Sequence, residues 1–238
     1  MNIAIIGYGK MGHEIETIAK ERGHKISLII DKDNRDALTA ENLNKVDVAI
    51  EFTTPETAFE NVKICLLAGK PVVSGSTGWL DKLEEVKKIA EYGNGALFYA
   101  SNFSIGVNLF FKVNKLLAKY IAKVKGYGYE IEEIHHTQKK DAPSGTAITL
   151  ANIIAEEIEE IKGWTLLPEV TESKIPISAK REGAVPGTHT VTLNSEQDEI
   201  ILTHRAKSRK GFALGAVLAA EYSVGKSGIL TMDSLLQV

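Results

Sequence analysis

The 238 residues carry 28 Lys and Arg against 31 Asp and Glu, a net charge of -3, and 44% are hydrophobic. Nothing in this balance calls for nucleic acid or an anionic membrane as partner, and the length suits one large domain or two modest ones, of which two is the working expectation. One cysteine, Cys65, rules out an internal disulfide and a thiolate-rich zinc site, so no metal is expected and a reducing cytoplasm is.

Residues 1–8 show no basic leader or cleavable apolar stretch, so a secretory signal is not expected there. Residues 2–7 are an apolar run ending in glycine, the pattern of a buried strand, and 11–22 read as a helix closed by Gly23. Further apolar runs at 25–31, 46–53, 71–76 and 96–100 are mostly separated by helical stretches. Two of these lie at 55–68, where Pro55 suits a first helical position, and at 80–92, with Lys and Glu on the outer face. Such alternation predicts α/β architecture, a Rossmann-like parallel sheet with helices on both faces.

The pattern changes after Phe103. A long amphipathic helix is expected at 105–123, a glutamate-rich strand at 127–136 and a second helix at 146–162. Strands at 174–180, 188–194 and 199–204 are expected to be antiparallel, the last two joined by a turn at 195–198. This is an α+β domain with a mixed or antiparallel sheet. Residues 211–222 are again helical and apolar, suited to pack back on the first domain; the 214–220 stretch falls far short of the roughly 20 residues that span a bilayer. The chain thus divides into a first domain, 1–104 with 211–238, whose pattern is that of a dinucleotide-binding unit, and a second domain, 105–210. Hinge closure is expected near 103–106 and 210–211.

Gly7-Tyr8-Gly9-Lys10-Met11-Gly12 follows a strand and opens a helix, the context that gives G-x-G-x-x-G its meaning. Gly7 makes the tight turn, Gly9 lets backbone approach a pyrophosphate, and Gly12 lets helix and strand pack closely. The helix start adds unpaired N–H groups and a positive dipole end. Asp31, about 20 residues on, can accept hydrogen bonds from ribose hydroxyls. Its charge would repel a 2′-phosphate, which the adjacent Lys32 could grip, so use of NADH and NADPH is expected. Gly75-Ser76-Thr77-Gly78 follows another strand, at the edge where open α/β sheets bind ligands.

Residues 133–147 hold His135, His136, Lys139 and Lys140, then Asp141, Ala142, Pro143, Ser144, Gly145 and Thr146. Adjacent strand residues point to opposite faces, so the two histidines can share a pocket only if the strand ends or bends there. Ser144, Gly145 and Thr146 start a helix and offer a hydroxyl and N–H groups to an anion such as a carboxylate, with lysines nearby.

This stretch resembles the signature of the dihydrodipicolinate (4-hydroxy-tetrahydrodipicolinate) reductase family of lysine and diaminopimelate biosynthesis. The resemblance extends in order along the chain through the glycine loop, Gly75 to Gly78, Ala100-Ser101-Asn102-Phe103-Ser104 with Gly106-Val107-Asn108, and Arg181-Glu182-Gly183 with Pro186-Gly187-Thr188. It implies NADH or NADPH contacts at residues 7–12 (Gly7, Tyr8, Gly9, Lys10, Met11 and Gly12), Asp31, Lys32, Gly75, Ser76, Thr77, Ala100, Ser101, Asn102 and Phe103. It also implies that His135 gives or takes a proton, that Lys139 donates one, and that His136, Gly145 and Thr146 hold a dicarboxylate substrate in a homotetramer. The stretch from 31 to 46 is shorter than in many relatives, and Ser76 stands where threonine is common; the first puts the adenosine-side contacts in question. Other two-domain dehydrogenases fit less well: an aspartate-semialdehyde dehydrogenase needs a cysteine nucleophile, and Cys65 sits in a helical pattern. A nucleotide sensor without chemistry would not need His135, His136 and Lys139.

Overall fold

A computed structural model describes residues 1–237. In chain order the first elements are β1 (Asn2–Ile6), α1 (Lys10–Glu21), β2 (Lys25–Ile30), α2 (Ala40–Leu43), β3 (Val48–Glu51), α3 (Pro55–Leu67), β4 (Val72–Ser74), α4 (Leu83–Tyr92) and β5 (Ala96–Tyr99). They are followed by α5 (Ile105–Ile121), β6 (Gly128–His135), α6 (Gly145–Glu157), β7 (Trp164–Leu166), β8 (Ile175–Arg181), β9 (Thr188–Asn194), β10 (Glu199–Arg205), α7 (Lys210–Ser223), β11 (Gly228–Leu230) and α8 (Met232–Leu236). The chain forms two compact units, Met1–Ile105 together with residues from Lys210 onward, and Gly106–Arg209.

The first unit holds a six-stranded parallel sheet in the order β11-β5-β4-β3-β1-β2. Its central strands are largely apolar because both faces are covered, with Glu51 and Ser74 at the ends of β3 and β4 the buried exceptions. Ile3, Ile5, Val48, Ile50, Val73 and Phe98 meet α1 and α7 on one face. Ala4, Ile6, Ala49, Val72 and Leu97 meet α3 and α4 on the other. The small residues of α7 allow close approach: a Cβ on Gly215 would lie 1.7 Å from the Phe103 carbonyl oxygen. Strand order reverses between β1 and β3, the switch point where such sheets open a crevice at their carboxyl edge.

The second unit has a mixed sheet, β10-β9-β6-β8-β7, with α5 and α6 packed on one face around Phe110, Ile131, Leu150, Ile154, Ile177 and Val191. The alternate residues of the strands, including Glu130, Glu132, Thr190 and Ile201, point the other way. Ile201 is 57% exposed, and Thr190 and Thr203 share a hydrogen bond at 3.1 Å.

Two expectations need correction. The strand at 174–180 is not antiparallel: β8 runs parallel to β6 and to the unforeseen β7, because the α6 crossover returns the chain in the same direction. The second helix stops at Glu157, since Ile158 turns extended and is buried. One further feature had no expectation attached: a short 3-10 segment (Lys32–Ala37) fills the region after Asp31.

Candidate active site

In the first unit the glycine loop is shaped as the spacing predicts. Gly7 has a φ of +94°, and a Cβ there would lie 2.1 Å from the Phe52 carbonyl oxygen. A Cβ on Gly12 would lie 2.4 Å from the Gly7 oxygen, whereas one on Gly9 would meet nothing within 4 Å. Gly9 starts α1 without a side-chain cap, and the first turn holds no acidic residue, so its N–H groups face an open approach with the helix dipole behind them. Tyr8 stacks beside His13 and hydrogen-bonds Glu16, while Lys10 is exposed and Met11 packs on the core.

A cleft of about 340 Å³ is lined by Gly7, Gly9, Asp31, Lys32, Arg35 and Thr53, among others. Asn61, also in its wall, is buried; its amide donates to Thr53 Oγ1 at 3.3 Å while its Oδ1 has no partner among the described residues. An orphaned buried acceptor beside a glycine cradle is what a bound polar molecule would satisfy. Asp31 and Lys32 lie on the rim. Arg35, which the sequence reading did not single out, adds a second cation there.

The next loops serve partly as scaffold. Ser76 is buried; its hydroxyl donates to Glu51 Oε1 at 2.8 Å and accepts from the Thr53 N–H at 2.7 Å. The buried Glu51 carboxylate also takes the Thr53 N–H at 2.9 Å and the Ser74 hydroxyl at 2.7 Å, locking the ends of β3 and β4 together. A Cβ on Gly75 would strike the Phe52 ring, while Thr77 is exposed. Ala100, Ser101 and Asn102 follow β5; Asn102 accepts the Ser104 N–H at 2.9 Å, and Phe103 is buried against Phe52 and Phe98.

In the second unit, β6 ends at His135, and the two histidine rings part. His136 is half-buried beside a cleft of about 300 Å³ lined also by Thr137, Gln138, Gly183, Ala184 and Arg209. His135 is buried, its ring edge-on to His189 at 5.0 Å between centroids. Glu133, two residues back on the same face of β6, is fully buried. Its Oε2 accepts the Ser144 N–H at 2.9 Å and its Oε1 accepts from Arg181 Nη1 at 3.1 Å. Arg181 also donates through Nε to the Lys139 carbonyl at 3.1 Å and through Nη2 to the Asp141 carbonyl at 2.5 Å, so it clasps the loop. Lys139 Nζ reaches Asp141 at 2.7 Å.

Ser144 caps α6. Its hydroxyl accepts the Ala147 N–H at 3.3 Å and shares a second hydrogen bond with His189 Nε2 at 3.1 Å. The hydroxyl is therefore engaged within the protein, whereas Gly145 is exposed and Thr146 half-buried at the helix start.

Burial pushes His189 down to about 3, with His135, His204 and Lys139 adding to it. His135 is also lowered, chiefly by burial; Glu133 opposes that shift, and Lys139 and Arg181 reinforce it. The Lys139 ammonium holds the Asp141 carboxyl below its usual range. Glu133, His135 and His189 each bring one atom within 4.8 Å of the others, a spacing an ion could use. Both Glu133 oxygens are already taken by a guanidinium and an N–H, so the cluster reads as a charge and hydrogen-bond network. Sequence reasoning gave no role to Glu133, His189 or Arg209 and met Arg181 only within the family motif; the partners of Glu133, Arg181 and His189 come from other segments of the chain.

Residues 1–103 match the family described as dihydrodipicolinate reductase, N-terminus, and residues 106–236 its C-terminus. A 4-hydroxy-tetrahydrodipicolinate reductase from Christiangramia forsetii is 52% identical over 238 residues, covering 99% of this chain and 98% of the relative. One from Archaeoglobus fulgidus is 36% identical and covers 100% of both chains. Among solved structures, a dipicolinate-bound dihydrodipicolinate reductase from Paenisporosarcina sp. TG-14 superposes with a TM-score of 0.82 at 26% identity, over 98% of each chain.

Proposed function

The chain belongs to the dihydrodipicolinate reductase family, and from that premise we propose how its residues carry out the NAD(P)H-dependent reduction of 4-hydroxy-tetrahydrodipicolinate in lysine and diaminopimelate biosynthesis. The observation that carries the reading is His135, a buried ionisable ring at the end of β6, beside the Glu133–Arg181 pair and a lysine-bearing loop that leads into a helix start.

The two substrate carboxylates are held by the N–H groups of Gly145 and Thr146, by His136 and by Arg209 across the neighbouring cleft. Ser144 contributes by capping the same helix. Loss of water from the 4-hydroxyl leaves a ring imine conjugated to a carbon–carbon double bond. Bound NAD(P)H supplies a hydride to C4. The electron pair then moves toward the ring nitrogen and carboxylate, and one proton completes the product. Lys139, tethered by Asp141, meets the developing negative charge, and His135, whose burial makes a bound proton easy to release, shares the proton delivery.

For the cofactor, the backbone of Gly7 to Gly12 would take the pyrophosphate, with Tyr8, Lys10 and Met11 shaping the turn, and Asp31 would take the ribose hydroxyls. Lys32 and Arg35 on the same rim support 2′-phosphate binding, so both NADH and NADPH fit. The loops at Gly75, Ser76 and Thr77 and at Ala100, Ser101, Asn102 and Phe103 follow strands of the same carboxyl edge; Ser76 and Phe103 would act through loop shape. The enzyme works in the cytoplasm as a homotetramer, joined through the sheet face that α5 and α6 leave uncovered.

The test couples pyruvate and aspartate semialdehyde through the preceding synthase and follows NADH and NADPH oxidation. Rapid synthase-dependent oxidation is expected, and in Lys139→Ala the maximal rate should fall ~10²–10⁴-fold, the usual loss for an acid–base group, with cofactor affinity unchanged. No oxidation by a protein that still binds cofactor overturns the reading; unchanged turnover in the variant removes Lys139 from it.

A further inference from the structure

Glu133 is a carboxylate in the middle of a sheet, 0% exposed. Burying such a charge costs several kcal/mol unless it is paired and hydrogen-bonded. Both its oxygens are committed: one to the N–H that opens α6, the other to Arg181 on β8. It therefore joins three elements that border the reacting region, and it stands directly opposite His189 in the β6–β9 pairing.

The same carboxylate faces His135. The His135 Nδ1 is buried without a hydrogen-bond partner among the described residues, and Glu133 Oε1 lies 3.8 Å from it. On the far side of the ring the wall is tight, since a Cβ on Gly187 would lie 3.1 Å from Nε2. The charged and titratable groups around His135 are Glu133 on β6, Lys139 and Asp141 on the loop, Arg181 on β8 and His189 on β9. Glu133 is the buried anion of this set, for Asp141 is exposed and bound to Lys139. His189 is held neutral and tied to Ser144, which leaves His135 as the ring whose proton Glu133 can govern.

We propose that Glu133 is a positioning residue for the reduction: it pins the substrate loop through both carboxylate oxygens and, by its charge beside Nδ1, sets the proton affinity of His135. This rests on His135 as a proton-transfer group, and it assigns to Glu133 and Arg181 opposite effects on that group. Arg181 clasps the loop through the Lys139 and Asp141 carbonyls while opposing protonation of the ring; Glu133 favours protonation. Filler residues that merely braced the fold would not move a titration in opposite directions.

The test follows the His135 ring nitrogens by NMR titration and the alkaline limb of kcat/KM, along which a proton donor loses its proton, in Glu133→Gln and Arg181→Gln, with circular dichroism and Tm as checks on folding. Glu133→Gln should lower the His135 midpoint by about one pH unit or more, as expected for a charge 3.8 Å away, and Arg181→Gln should raise it. The alkaline limb should move with the midpoint in each variant, kcat should fall more than KM rises in Glu133→Gln, and NADH affinity should stay at its parent value. Glu133→Asp, which keeps the charge on a shorter stem, should restore part of the midpoint. If Glu133→Gln fails to fold, Arg181→Gln decides alone by the direction of its shift. A His135 midpoint that stays put, or moves the same way in both variants, overturns the proposal. If the midpoint moves as stated and the pH–rate limb does not, the link between Glu133 and His135 stands, and the proton role of His135 in the preceding reading falls.

Discussion

His189 shows how much one buried ring can govern. Its proton affinity in the fold is pushed down to about 3 from an ordinary value of 6.5, first by burial and then by the positive neighbours. The unfolded chain therefore takes up a proton at this position as pH drops below about 6.5, and the folded chain does not. Stability from this residue is complete above that pH and is lost on the way down to about 3, at ~1.4 kcal/mol per pH unit. His135, lowered as well, adds to the same slope. Urea unfolding between pH 6 and 4.5, above the range of most carboxylates, should show this decline, and His189→Gln should flatten it by about one proton. An equal slope in both proteins would mean that His189 is protonated in the native state. The Glu133 network was hidden from the sequence at this scale: Glu130, Glu132 and Glu133 read alike as residues of a glutamate-rich strand, and nothing local indicates that the third lies between Arg181, 48 residues on, and Ser144, 11 residues on.

At the scale of elements, the glycine loop is the clearest case of residues dictating geometry. Gly12→Val would force a branched side chain into the 2.4 Å gap above the Gly7 oxygen, so α1 must move away from β1. A drop in Tm of several degrees and loss of NADH binding are expected, measured by differential scanning fluorimetry and fluorescence titration. Retention of both would mean that the loop and helix can repack. The strands β1 to β5 and the helices α1, α3 and α4 were legible because long apolar runs and helical spacing state their own burial. β4 is as short as β7 and β11, at three residues, but lies in the longer apolar run 71–76, whereas β7 and β11 stand in no such run, and α8 has only five residues. The direction of β8 was not legible, because Ile175, Ile177 and Ala179 alternate alike in either pairing and only the path of α6 decides between them. At the candidate site, the glycine loop and the His135 to Thr146 stretch could be read because each is continuous in sequence. Arg35 and Arg209 were not singled out, since each stands among other charged residues of its segment, and Arg181 entered only as part of the family motif.

At the scale of the whole molecule, the mixed sheet has one face under α5 and α6 and one face without a helix of its unit, with Ile201 exposed among threonines and glutamates. Sedimentation should find a species of four chains of 25.9 kDa each. Ile201→Glu, placed on that open face, should shift it to smaller species without changing the circular dichroism. A tetramer of undiminished stability in the variant would move the interface elsewhere. The division of the chain has a further consequence, for how the protein is born. The helix over one face of the parallel sheet, α7, and its edge strand, β11, come after the second unit is complete in sequence. A ribosome delivers the chain from its start, so the apolar surface of Ile3, Ile5, Val48 and Ile50 waits without α7 while the whole of 106–209 is made. The middle of this chain can finish folding before its beginning can, and the newborn first unit is the part that needs shielding until the last helix arrives.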